Sequence, residues 1–156
     1  MTKETTEMTS IGTIVAGKHG NNLFRNAYVN NLKSFSFYRK IDNPSKRIEL
    51  LTKIADDLSL TKEFVYLCDK DDVNTIYSLV CYEVVDNKTI VYFAYTKFAF
   101  RGYGFCKELL DYIESLNPTN ELEHRLPKEL TPKWGRLWAR YKRTQPYYPQ
   151  LQTSRN

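Results

Sequence analysis

The chain has 156 residues, 42% of them hydrophobic and 26% charged, with a formal net charge of +5. That is enough for one domain with its own core, and the ordinary apolar content argues against disorder or a fibrous repeat. No apolar run approaches the roughly 20 residues of a membrane span, and no membrane partner is expected.

The start, "MTKETTEMTS", is polar and has no apolar signal core, so residues 1–10 read as a flexible N-terminus of a cytoplasmic protein. A single domain is expected over 11–151, with 152–156 as a flexible tail. Three widely spaced cysteines, Cys68, Cys81 and Cys106, fit reduced thiols and not a disulfide framework. With two histidines and no Cys-x-x-Cys pair, no metal site is expected.

In chain order, 11-IGTIVAG-17 reads as a short strand. From Asn21 to Phe37 the residues Leu23, Phe24, Ala27, Tyr28, Leu32 and Phe35 fall on one helical face, with Asn21 or Asn22 as N-cap. Asn43-Pro44 opens a second helix whose stripe is Ile48, Leu51, Ile54, Ala55 and Leu58. Strands follow at 63–68, 75–85 and 89–98. The short turn Asp86 to Lys88 makes the last two an antiparallel hairpin.

A helix from about Gly104 to Leu116 carries Phe105, Leu109, Tyr112, Ile113 and Leu116 inward and ends at Asn117-Pro118. Residues 119–131 read as a loop or a short strand near 121–126. Thr131-Pro132 starts another helix over "PKWGRLWARYKR", and "QPYYPQL" is extended, at an edge if it is a strand. The order β-α-α-β-β-β-α-(β)-α-β gives an α/β (α+β) class: a mixed sheet with helices on its faces.

Charge is concentrated at the end, where Arg125, Lys128, Lys133, Arg136, Arg140, Lys142, Arg143 and Arg155 face Glu129. With Trp134, Trp138, Tyr141, Tyr147 and Tyr148 interleaved, this segment could hold a nucleic acid, hold a phosphorylated cofactor, or be a solvated face.

The strand-to-helix passage "KFAFRGYGFCKELL" is chemically the most pointed. The first turn of a helix leaves amides without internal partners and is electrically positive. Glycines at 102 and 104 bare those amides, and Arg101 adds a full charge, which together make a diphosphate cradle. Alternatively the glycines only supply unusual backbone angles.

The spacing Arg-x-x-Gly-x-Cys at 101–106 resembles the acetyl-CoA signature of the GNAT N-acetyltransferase superfamily. "AYTKFAFRGYG" resembles the run before that signature, and "LWARYKRTQPYY" looks like the family's tyrosine region, with Tyr141 on the tyrosine. The element order is also the family's, and within it the chain is most like small GNAT-like proteins of tailed bacteriophages. Departures are Cys106 for the last Gly/Ala, Phe98 for a proline, and Gln145-Pro146 for Gly-Phe.

The resemblance implies a GNAT-like, mostly antiparallel sheet and acetyl-CoA as co-substrate. The backbone at Ala94, Tyr95 and Thr96 would bond pantetheine, and Arg101, Gly102, Tyr103, Gly104, Phe105 and Cys106 would take the pyrophosphate. Tyr141 would give a proton to the leaving thiolate. Thr89 stands where histone-acetylating members carry glutamate, which leaves Glu83 as the base. Cys106, at a helix N-terminus, is expected to have a lowered pKa and to pack beside the cofactor.

The function expected is acetyl transfer from acetyl-CoA to a primary amine, on a small molecule or a protein. The alternatives are a non-catalytic structural or virion-associated protein of that fold, or a nucleic-acid binder using the basic aromatic segment. Its place would be the cytoplasm, that of the host or the virion if phage-encoded.

Overall fold

The computed structural model describes residues 5–9, 12–18, 20–33, 40–41, 43–126 and 136–143. They form a seven-stranded sheet whose spatial order follows the chain: β1 (Thr5–Met8), β2 (Thr13–Lys18), β3 (Glu63–Cys68), β4 (Ile76–Val85), β5 (Lys88–Thr96), β6 (Glu121–His124) and β7 (Lys142–Arg143). The first five pair antiparallel, and β5–β6–β7 pair parallel. Helices α1 (Asn22–Leu32) and α2 (Pro44–Thr61) lie between β2 and β3, and α3 (Phe105–Leu116) between β5 and β6.

The helix starts follow their capping residues. The Asn21 side chain accepts from the Phe24 amide at 3.0 Å. Asn43 accepts from the Ser45 and Lys46 amides, and Pro44 needs no donor of its own in the first turn. At the β4–β5 hairpin Asp86 has φ of 56°, a left-handed angle that a short polar residue tolerates.

Two apolar layers sandwich the sheet. On one face α1 and α2 bury Phe24, Tyr28, Leu32, Leu51, Ile54 and Leu58 against Phe64, Tyr66 and Phe93. On the other, Leu109, Leu110 and Ile113 of α3 pack on Val65, Val80 and Val91, with Trp138 and Tyr141 completing the layer. Burying one such side chain contributes about 1.5–3 kcal/mol.

β5 carries an irregularity. Cys81 pairs with Phe93 and Tyr82 with Val91, so Tyr92 is one residue more than β4 can match. Such a bulge puts two successive side chains on one face. Tyr92 and Phe93 both enter the α1–α2 layer, while Val91 and Ala94 enter the α3 layer.

Several expectations change. The polar start is not wholly a flexible tail, because Thr5–Met8 pairs with Thr13–Ala16 as an edge strand. Ile48, in the second turn of α2, and Leu116, the last residue of α3, are 44% and 49% exposed, whereas Leu110 is buried. In "PKWGRLWARYKR" the described residues 136–140 form turns and lead into β7, where a helix was expected; its start at Thr131 lies outside the described residues. Phe35 and the "QPYYPQL" strand also lie outside them. Among the described residues no helix is long and apolar enough to cross a membrane.

Candidate functional site

The site forms where β5 ends. A single 3-10 turn, Phe98–Phe100, carries the chain out of the sheet, and α3 begins at Phe105. Between them Gly102 and Gly104 have φ of 87° and 79°, left-handed angles costly to other residues. A Cβ placed on either glycine would meet nothing within 4 Å, so the space beside this backbone is open.

The helical ladder of α3 starts with the Glu108 amide donating to the Gly104 carbonyl at 3.0 Å. Among the described residues no acceptor takes the amides of Gly102 to Lys107, and Gly104 as N-cap has no side chain to do so. Glu108 adds a negative charge in the first turn, and Arg101 and Lys107 outnumber it. A pocket of about 200 Å³ opens here, lined by Thr96, Phe100, Arg101, Gly102, Phe105 and Lys107 among others. That is below the usual volume of a whole ligand site but suits a diphosphate group.

Aromatic residues stiffen the turn. Phe105 lies near-parallel to Tyr77 and to Tyr103, with ring centroids 5.3 and 5.8 Å away, and the Tyr77 hydroxyl is tied to Asp69. Phe105 thus walls the pocket and does not plug the bend. Arg101 is exposed; its Nε donates to the Thr96 carbonyl at 2.9 Å, and its guanidinium lies over the rings of Phe98 and Tyr95.

β5 and β6 stay paired only from Lys88–Glu121 to Val91–His124, with one further bond from the Arg125 amide to the Val91 carbonyl at 2.8 Å. Among the described residues the pairing with β6 stops at Val91, and Tyr92 to Thr96 have β4 alone as a paired strand. The Lys97 amide bonds the Tyr77 carbonyl, and bonded pairs alternate along an antiparallel ladder. The main-chain groups of Ala94 and Thr96 therefore turn away from β4, while those of Tyr95 pair with Leu79. Thr96 reaches the pocket; Ala94 is buried in the α3 layer, of which Leu126 and Trp138 are also members.

The two proposed catalytic side chains have close partners. Glu83 Oε2 accepts from Tyr92 Oη at 2.6 Å and from Lys62 Nζ at 3.1 Å. Tyr141 is buried and donates to Glu114 Oε2 at 2.5 Å, and Arg140 grips the same carboxylate at 2.6 and 3.1 Å. Burial first, then this bond, pushes the Tyr141 hydroxyl pKa well above the usual range. Thr89 is buried and accepts from Asn120. His124 is buried 5.6 Å from Trp138, and burial lowers its pKa.

The expected lowering of the Cys106 pKa is reversed. The thiol lies among the apolar residues of the α3 layer, and desolvation pushes it up to about 12, which outweighs the helix terminus. Trp138 and Tyr141, two aromatics proposed to stack on nucleic acid, are interior; Trp134, Tyr147 and Tyr148 lie outside the described residues. Sequence reasoning missed Lys107 in the pocket wall, though it directly follows the glycine signature, and it missed Glu114, which only tertiary packing brings to Tyr141. Among the described residues no group of three or more acidic, histidine or cysteine side chains is placed to hold a metal ion.

Comparison with solved structures decides the fold. The "Putative Acetyltransferase (YycN)" of Bacillus subtilis superposes with a TM-score of 0.57 at 12% identity, over 86% of this chain and 96% of that one. The fold is GNAT-like. A transcriptional regulator of Bacillus halodurans C-125 also matches, with a TM-score of 0.46 and 13% identity over 88% of this chain and 90% of its own. No known family profile and no curated protein matches the sequence. The match to the Bacillus subtilis protein does not support the resemblance to phage proteins.

Proposed function

We propose that the chain is an acetyl-CoA-dependent N-acyltransferase that moves the acetyl group directly to a primary amine. The observation that carries this is the open glycine turn with its unpaired amides, which follows Tyr92–Thr96, the part of β5 beyond its pairing with β6. The amides of Gly102 to Cys106, with Arg101 and Lys107, would hold the diphosphate. The main chain at Ala94 and Thr96 would take the pantetheine arm once the side chains over Ala94 move aside.

The amine must first lose a proton, since its pKa is about 10.4. Its nitrogen then attacks the thioester carbonyl, a C–N bond forms, the C–S bond breaks, and the thiolate leaves to be protonated. A main-chain amide on β5 can stabilise the developing oxyanion. Glu83 is the carboxylate proposed to accept the proton: both of its bonds fall on Oε2, which leaves Oε1 for an amine or a water. Tyr141 could protonate the thiolate only by turning away from Glu114.

That last contact, and the burial of Ala94, favour a second reading in which the fold persists as a non-catalytic structural or interaction module. Calorimetric titration with CoA and acetyl-CoA, followed by an acetylation assay on primary amines, separates the two. Binding with turnover supports the enzyme, binding without turnover supports a module that keeps the ligand site, and no binding at millimolar ligand removes the enzyme and leaves the module.

A further inference from the structure

The point where β5 and β6 stop pairing carries a charge cluster on the α1–α2 face that the glycine turn does not explain. Arg125 follows the last β6 pair, and its guanidinium lies over the Tyr92 ring, 5.7 Å from the centroid. Lys62 Nζ is 5.0 Å from the same centroid. Glu83 lies against both Tyr92 and Lys62. One step along, Lys88 and Glu123 neutralise each other at 3.0 Å, and exposed Glu121 acts on Lys88 at the far end of β6.

Two cations thus converge on Tyr92 with one carboxylate between them. Glu83 is engaged by Lys62, and among the described residues Arg125 meets no acidic side chain. Its Nε is shut off from solvent and has no hydrogen-bond acceptor among the described residues. Buried donors without acceptors are rare in native proteins, and each asks for a reason. A guanidinium fork is suited to planar oxyanions. The local surplus is a single positive charge, which suits a monoanionic carboxylate better than a doubly charged phosphate.

We infer that Arg125, supported by Lys62 and Tyr92, is a receptor for a carboxylate, so that the acceptor is a small primary amine that carries one. This rests on the acyl-transfer reading above. The carboxylate sits on Arg125 over the Tyr92 ring, and the amine turns toward Glu83 at the Tyr92 hydroxyl. Arg125 is then a specificity residue, and it selects amino acids over the amines left when their carboxyl is removed.

The test compares acetylation of matched pairs by the full chain: lysine against cadaverine, phenylalanine against phenethylamine, and alanine against ethylamine. The carboxylated member of a pair is expected to have the higher kcat/KM by roughly tenfold or more, the usual worth of a hydrogen-bonded charge. Arg125→Gln should erase the preference by raising KM for the carboxylated member of each pair, while CoA affinity stays unchanged. Arg125→Lys, which keeps the charge and loses the fork, should restore part of it. Equal or better use of decarboxylated amines overturns the inference while leaving acyl transfer standing. So does a preference that survives Arg125→Gln. Acetylation of neither class overturns it, and failure to bind CoA removes it together with the reading on which it rests.

Discussion

Replacing Gly104 separates the two roles a glycine can play in this turn. Its φ of 79° costs a side-chain-bearing residue about 1–2 kcal/mol, and no steric term adds to that because a Cβ there meets nothing within 4 Å. Gly104→Ala should therefore lower unfolding stability by about 1–2 kcal/mol in urea melts. Asparagine tolerates the left-handed region, so Gly104→Asn should recover most of that loss. The open space is a different matter, because either side chain enters the room left for a diphosphate. By calorimetry both variants should bind CoA roughly tenfold or more weakly, the cost of about one charge-assisted hydrogen bond. If Gly104→Asn restores stability and affinity alike, the glycine serves the backbone angle alone and the cradle argument fails.

Arg101→Glu puts a negative charge beside the same amides and breaks the bond to the Thr96 carbonyl; CoA binding should fall at least tenfold by calorimetry, and unchanged affinity would refute the phosphate role. Tyr141→Phe removes one bond from a carboxylate that Arg140 still holds, so about 1–2 kcal/mol should be lost. At this chain length that lowers Tm by roughly 3–6 °C in thermal melts. With its hydroxyl committed to Glu114, Tyr141→Phe should leave turnover within about threefold; a drop of the roughly 100-fold or more typical of a lost general acid would restore the proton-donor role. Cys106 is held protonated to about pH 12, whereas the unfolded chain releases that proton near the ordinary value of 9.0. The folded state thus binds the extra proton between those limits, and stability should fall as pH rises through them. Melts from pH 8 to 10.5 should show a shallower decline in Cys106→Ala; identical slopes would contradict the burial of the thiol.

What could be foreseen was what depends on neighbours in sequence. Asn43-Pro44, the Asp86 turn and the paired glycines act within a few residues, and each lies where its chemistry puts it. Segments whose structure depends on distant partners were not legible. The polar TTEM stretch has no strand pattern of its own and becomes β1 because β2 offers an edge. The described end of the expected last helix makes turns and β7, since Trp138 and Tyr141 are drawn into the α3 layer and Lys142–Arg143 pair with β6. At the site the open glycine turn could be read, because it is contiguous. The contacts of Glu83 with Lys62 and of Tyr141 with Glu114 bridge 21 and 27 residues, and no local pattern announces them.

The mismatch in β5 bears on how the chain could tolerate a lost residue. Were Tyr92 deleted, Val91 and Phe93 would become consecutive, their opposite facings would already suit a regular strand, and the partners of both would be unchanged. Deleting one of the residues from Ala94 to Thr96 instead would turn inside out whatever lies between the lost residue and the bulge. The architecture can thus dispense with Tyr92 as a strand member, and a Tyr92 deletion should fold while losing whatever Lys62, Glu83 and Arg125 do around that ring.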